Sequence, residues 1–166
     1  MPKIFGSNES AISMSALDKL PELDRELLLK AREVARRAYA PYSRFGVGAA
    51  VRTTSGQVYA GPNMENASYG VTLCAEASAL LQSLAADDFR VESIAVVGGP
   101  LDETEGSDQV VTPCGRCRQL ILEAAHVSGV DTRVLCANSD MTDILVLPVS
   151  ELLPHGFGPA NLKPGA

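Results

Sequence analysis

From residue 22 onward the chain switches repeatedly between two hydrophobic periods, and the switching gives an order of elements. Between Glu22 and Tyr39 the apolar positions Leu27, Ala31, Val34, Ala35 and Ala38 share one helical face, with Arg25, Lys30, Arg32, Arg36 and Arg37 around the other side. This predicts an amphipathic helix stopped by Pro41. Asp24, Glu26 and Glu33 interleave with the bases, so the polar face reads as solvated and salt-bridged rather than as a nucleic-acid contact. Val47 to Thr53 reads as a strand, Ser55-Gly56 as a turn and Gln57 to Ala60 as the returning hairpin strand, with Gly61-Pro62 expected to break the ladder. Asn63 to Tyr69 is a polar loop, the kind of segment that carries function on a rigid scaffold.

A second helix is expected from Leu73 or Cys74 to Ala85, with Ala77, Leu80, Leu81 and Leu84 inward, and then a short strand over Val91 to Val97 ended by Gly98-Gly99-Pro100. The acidic stretch from Leu101 to Asp108 reads as a solvated loop whose carboxylate spacing matches no calcium loop. A third helix from Gly115 to His126 puts Leu120, Ile121, Ala124 and Ala125 on one face, and two more strands follow over Val130 to Cys136 and Ile144 to Val149. That order argues for an α/β sheet with helices packed on its faces. Residues 1–21 show no sustained period and are expected to form a mobile arm, with one loose turn around Met14 to Leu20. A single domain is expected over 22–166, because 166 residues suffice for one core and not for two.

Charge and composition narrow the partners. A formal net charge of −6 repels a phosphate backbone, so polynucleotides are disfavoured. No apolar run approaches a membrane span, and the N-terminus shows no apolar core or small-residue cleavage pattern of a secretory signal. A cytoplasmic location is therefore expected. Four cysteines in such a chain suit metal binding or catalysis better than disulfides, because cytosolic reductants keep thiols reduced.

The chemistry gathers in Cys74-Ala75-Glu76 and, forty residues on, Pro113-Cys114-Gly115-Arg116-Cys117. Cys-x-x-Cys alone could be a redox pair, half of a zinc site or an accident. With Pro before it and a helix after it, both sulfurs fall at or near a helix N-terminus, where unpaired N–H groups and the helix dipole stabilise thiolates. Cys74 also opens a helix. Two such ends converging would present three thiolates to one zinc ion and leave the fourth position for water, the mark of a catalytic rather than a structural site. Glu76, two residues after a ligand, would hang beside that position and move protons. Cys136, in a strand beside Val134 and Leu135, reads as a small buried hydrophobe; a fourth-ligand role would leave Glu76 without a purpose. His126 and His155 fit no ligand spacing, and Gly46 and Gly48 suggest close packing.

The pair of stretches follows the zinc-deaminase pattern, in which Cys or His, two residues before Glu, is followed by Pro-Cys-x-x-Cys. The chain further resembles the small, homotetrameric cytidine deaminases in Ala38-Tyr39-Ala40-Pro41-Tyr42-Ser43-Arg44-Phe45, Val47-Gly48-Ala49-Ala50, Asn63-Met64-Glu65-Asn66-Ala67-Ser68-Tyr69, Cys114-Gly115-Arg116-Cys117-Arg118-Gln119, Glu151-Leu152-Leu153-Pro154 and Phe157-Gly158-Pro159. The resemblance runs from about residue 24 to 162 and implies a three-layer α/β/α sandwich with a mixed five-stranded sheet. It implies one zinc per subunit on Cys74, Cys114 and Cys117, Phe45 stacked on the pyrimidine, Asn63 and Glu65 on the ribose hydroxyls, and the backbone of Ala75 on the base. Phe157 would reach into a neighbouring subunit's pocket, giving a homotetramer with shared active sites. The implied reaction is hydrolytic deamination of cytidine and deoxycytidine to uridine and deoxyuridine in pyrimidine salvage: a zinc-activated water attacks C4 while Glu76 shuttles protons to N3 and to the departing ammonia.

A blasticidin-type aminonucleoside deaminase shares the Cys114 to Gln119 motif, but Asn63 and Glu65 favour a ribose. A non-catalytic, zinc-stabilised binding domain is the alternative from another class. One position departs from the family: the similar enzymes usually carry Arg after Cys-Ala-Glu, and this chain has Ala77. Three thiolates on a dication sum to 2 − 3 = −1, which weakens the metal's power to acidify water. Arg116 or Arg118, with the two helix dipoles, is the expected compensation.

Overall fold

The computed structural model describes residues 13–14, 17–102 and 109–162. Most of the arm and residues 103–108 of the acidic loop lie outside this set. Five long strands form where the periodicity placed them: β2 Phe45–Thr53, β3 Val58–Pro62, β4 Val91–Pro100, β5 Arg133–Asn138 and β6 Ile144–Pro148. A two-residue strand of the arm, β1 Ser13–Met14, pairs with the outer side of β6, so the sheet order is β1-β6-β5-β4-β2-β3. Only β4 and β5 run parallel, and the other pairs are antiparallel, so the sheet is mixed. The turn expected between Met14 and Leu20 forms as a short 3-10 segment at Leu17–Lys19.

Strand residues alternate between two cores, which makes the three layers. Ala50, Ala95, Val97, Leu135 and Ala137 face Leu27, Leu28 and Ala31 of α1 Glu22–Ala35. Ala49, Val51, Ile94, Val96, Val134 and Cys136 face the other helices: Ala79 and Leu80 of α2 Ala75–Ala85, Ile121 and Ala124 of α3 Gly115–Ser128, and Leu152 of the one-turn α4 Val149–Leu152. Period-2 burial on both faces is what a sheet covered on both sides requires. The buried Asp24 of α1 is held by Arg133 at 2.9 Å and Arg52 at 3.5 Å, and Arg52 also takes Glu92 at 2.6 Å, which fastens the helix to β2, β4 and β5.

Several boundaries move, each for a physical reason. The first helix ends at Ala35 rather than Tyr39, because Tyr39 is drawn into a β-bridge with Met64. Gly61 and Pro62 do not break the hairpin: they pair with Ala49 and Gly48. Proline is tolerated there because β3 is an edge strand, and a side chain at Gly61 would sit 2.6 Å from the Ser78 Cβ of α2. The β4 ladder likewise runs through Gly98, Gly99 and Pro100 to meet Val47, Gly46 and Phe45. Leu81 and Leu84, expected inward, are 55% and 52% exposed. The helix turns Ala75, Ala79 and Leu80 to the sheet; Leu81 lies a 100° step past Leu80, and Leu84, on the Leu80 side, stands in the last turn of α2.

Gly48 lies against α1 so closely that a Cβ would come 2.0 Å from the Ala31 carbonyl oxygen and 2.5 Å from the Ala35 nitrogen. Both obstacles are helix backbone and cannot rotate away. Gly48→Ala is expected to destabilise the fold by about 3 kcal/mol, the upper end of ordinary overpacking, read as a fall in Tm and in the urea midpoint at unchanged m. A variant as stable as the parent would mean that α1 can lift from the sheet at no cost.

Candidate active site

Two helix starts converge on one point. Cys74 is the N-cap of α2 and Cys114 the N-cap of α3, both with extended backbone, φ −73° and ψ 153° for the first and φ −66° and ψ 168° for the second. Their carbonyls accept the first intrahelical bonds, from Ser78 at 3.1 Å and Arg118 at 2.9 Å. Cys117 lies in the first turn of α3 and is fully buried. The three sulfurs lie within 4.8 Å of one another, with Cys74 and Cys114 Sγ 4.0 Å apart. Sulfurs sharing a tetrahedral zinc at about 2.3 Å stand roughly 3.8 Å from each other, so the donor set and its spacing fit the ion. All four cysteines are free thiols, and Cys136 lies in the core, where burial pushes its thiol up to about 12.

At Cys74 the surrounding groups favour the thiolate. A hydrogen bond from Cys117 holds the Cys74 thiol down at about 6, aided by one from Cys114 and by the Arg116 charge, against burial and the nearby Glu76 carboxylate. The same hydrogen bond, burial and Glu76 push the Cys117 thiol upward. Glu76, in the first turn of α2, is 4% exposed, and burial raises its carboxyl above the usual range while a contact with Cys117 opposes the rise. A buried carboxyl thus stands close enough to Cys74 and Cys117 for its charge to act on both thiols. Ala75 and Ala77 are buried next to it.

Phe45, Asn63 and Glu65 meet around the start of β2. The Asn63 amide completes the strand's hydrogen bonding, accepting from Val47 N–H at 2.9 Å and donating to the Phe45 carbonyl at 3.2 Å. Glu65 Oε2 accepts from the N–H groups of Tyr42 at 3.0 Å and Ser43 at 3.2 Å. A bond from the Ser43 side chain, then these two, holds the Glu65 carboxyl below its usual range despite some desolvation. Residue 64, between them, is gripped on both sides: it bridges Tyr39 and also pairs with Leu73, with reciprocal 2.9 Å bonds. Leu73 directly precedes Cys74, so this loop is tied to a metal-ligand position by one strand pair.

Arg118 does not turn toward the sulfurs. Its Nε donates to the Pro113 carbonyl at 2.8 Å and its Nη1 to the Leu152 carbonyl at 3.0 Å. The Arg116 side chain is exposed. Phe157 is 59% exposed, and its carbonyl accepts from Gln119 Nε2 at 2.7 Å. The Gln119 contact was not foreseen, since no spacing rule links residue 119 to residue 157. A cavity of about 460 Å³ lined by Arg32, Arg36, Gly98, Leu101 and Asp140, among others, lies toward α1 and holds none of the cysteines. Among the described residues no helix is long and apolar enough to cross a membrane.

Comparison with known proteins agrees with this arrangement. Residues 21–131 match the family profile described as the cytidine and deoxycytidylate deaminase zinc-binding region. The chain is 43% identical over 136 residues to the cytidine deaminase of Halalkalibacterium halodurans, covering 81% of this chain and 95% of that protein. It is 42% identical over 142 residues to the cytidine deaminase of Mycobacterium tuberculosis, covering 84% and 93%. The crystal structure of cytidine deaminase from Burkholderia pseudomallei superposes with a TM-score of 0.69 at 39% identity, over 80% of this chain and 97% of that one. Three convergent thiols in the matched region, a buried glutamate beside them and this likeness along most of the chain place the protein in the cytidine and deoxycytidylate deaminase family, as a zinc-dependent hydrolytic deaminase with one zinc per subunit.

Proposed function

We propose that the protein deaminates cytidine and deoxycytidine to uridine and deoxyuridine, releasing ammonia, as a step of pyrimidine salvage in the cytoplasm. The observation that carries the reading is the buried Glu76 carboxyl beside the converged sulfurs of Cys74, Cys114 and Cys117. Zinc held by these three thiolates supplies Lewis acidity that lowers the pKa of a water. Glu76 takes one proton from the water as the water oxygen bonds to C4, and gives it to N3. It then takes the proton of the new C4 hydroxyl and gives it to the amine, so that the C4–N bond breaks, ammonia leaves and the C4 carbonyl forms. Burial raises the Glu76 carboxyl above its usual range, which favours its proton-accepting turns. The backbone at Ala75 orients the base and Phe45 stacks on it. Asn63 and Glu65 take the ribose hydroxyls, with the Glu65 carboxylate held in place by the backbone N–H groups of Tyr42 and Ser43.

Loss of the cytidine ultraviolet band with purified protein tests the reading, run beside deoxycytidine and blasticidin. Turnover of blasticidin alone, or zinc at one equivalent with no turnover of any of the three, would overturn it.

Assembly as a homotetramer with shared sites belongs to the same proposal. It is supported by Leu81 and Leu84, whose exposure on α2 leaves an apolar face, and by Tyr69 and Phe157 at 74% and 59% exposure. With Ala77 in place of arginine, Arg116 is proposed as the positive charge that offsets the thiolates, since its field already favours the Cys74 thiolate. Arg116→Ala is expected to speed zinc loss to a chelator by about 10-fold, the low end for residues that tune metal ligands, and to lower kcat. Unchanged zinc retention would remove Arg116 from this role.

A further inference from the structure

We propose that Arg118 and Gln119 are positioning residues that couple the metal site to the C-terminal segment bearing Phe157, so that zinc binding and docking of that segment strengthen each other. The contacts fall on one ladder of α3. Arg118, Leu122 and His126 are spaced four residues apart and therefore share a face. At the first rung the Arg118 guanidinium donates to the carbonyl of Pro113, the residue before the ligand Cys114, and to the carbonyl of Leu152, the last residue of α4. At the second, Gly156 lies so close that a Cβ would come 2.4 Å from Leu122 Cδ2. At the third, a Cβ on Gly158 would come 2.4 Å from His126 Nε2. Gln119, one residue after Arg118, holds the Phe157 carbonyl. The segment beyond α4 therefore lies flush along the helix whose first turn supplies two of the three sulfurs.

One guanidinium thus spans the metal loop and the root of the segment. Moving the Pro113–Cys114 backbone out of register breaks the first bond and frees the second to follow. A zinc ion fixes Cys114, fixes Pro113 with it, and so favours the arrangement in which Arg118 reaches Leu152. If the two events are coupled, the coupling is reciprocal: zinc must strengthen docking by the same factor by which docking strengthens zinc. In an assembly with shared sites, a subunit that loses its metal would also withdraw its Phe157 from a neighbour.

The inference rests on the zinc centre and on the proposed role of Phe157, and its test avoids the substrate altogether. Hydrogen exchange is followed at the bonded amides of Gly158, Asn161 and Leu162 in the wild-type zinc enzyme and after chelation, and zinc affinity is measured by chelator competition in wild type, Arg118→Gln, Arg118→Lys and Gln119→Ala. Chelation is expected to speed exchange at these amides by about 10-fold while β4 and β5 stay protected, and Arg118→Gln to weaken zinc binding by about the same factor. Arg118→Lys is expected to behave like Arg118→Gln, because an ammonium cannot make the two-pronged contact. Rescue by lysine would mean that Arg118 acts by charge alone and would overturn the proposal. So would exchange that ignores zinc, or loss of protection that spreads through β4 and β5, which would make the metal a general staple. Gln119→Ala leaves the loop contact intact and is expected to loosen the segment with a smaller effect on zinc; should the Arg118 variants not fold, this variant and the wild-type exchange decide. Failure on cytidine with zinc-responsive exchange would sink the substrate reading and leave the coupling standing.

Discussion

Glu76→Gln is expected to lower kcat on cytidine by about 10²- to 10⁴-fold, the range for removing a general acid–base, while zinc stays bound at one equivalent. The substitution keeps the size and most of the hydrogen-bonding capacity of a side chain that is 4% exposed, so neither a cavity nor a buried charge enters the comparison. What disappears is the ability to take up a proton and return it at two positions. Because zinc is held by the cysteines, metal content measured by atomic absorption should not change. KM should change little, since the base and sugar contacts are proposed to come from Phe45, Ala75, Asn63 and Glu65. A variant with near-normal kcat would show that some other group moves the protons, and the assignment of Glu76 would fail.

The second large effect is expected on the metal itself. Cys117→Ser should weaken zinc binding by at least roughly 10²-fold and abolish turnover of the purified protein. Zinc bound by four ligands contributes about 12 kcal/mol, or roughly 3 kcal/mol for each, and a thiolate contributes more than a hydroxyl can. Cys117 is the most buried of the three. Cys136→Ala is the contrast. It lies 1% exposed in the core among the strands, outside the cluster of three, and should leave zinc affinity untouched while lowering stability slightly. Equal zinc loss in both variants would revive a four-cysteine site.

The hydrophobic pattern located every long strand and all three long helices, because each element buries a face whose period is written in neighbouring residues. It failed where distant residues decided the matter. Pro41 was a visible stop for the first helix, yet the helix ends six residues earlier, where Tyr39 leaves to pair with a residue 25 positions on. Gly61 and Pro62 carry the signs of a break, but a sheet edge and close helix packing make them good strand residues. Gly98, Gly99 and Pro100 continue β4 because Val47, Gly46 and Phe45 of β2 pair with them. Leu81 and Leu84 look like core because a leucine reports only that something will cover it, not which chain does. The cysteines and Glu76 were legible because metal chemistry fixes both residue type and local spacing. The targets of Arg118 were not: a guanidinium in sequence says charge, whereas this one grips two carbonyls.

Met64 is bridged on one side to Tyr39 and on the other to Leu73, so the loop between β3 and α2 is pinned at one residue from both flanks. That placement limits how the specificity of this scaffold can be changed. A loop free at both flanks can be lengthened or shortened to fit a bulkier sugar, but one added residue between 62 and 66 would shift the pairing and carry Cys74 with it. With Asn63 and Glu65 as the proposed sugar contacts, directed evolution here should yield productive point changes at those two side chains and almost no productive insertions.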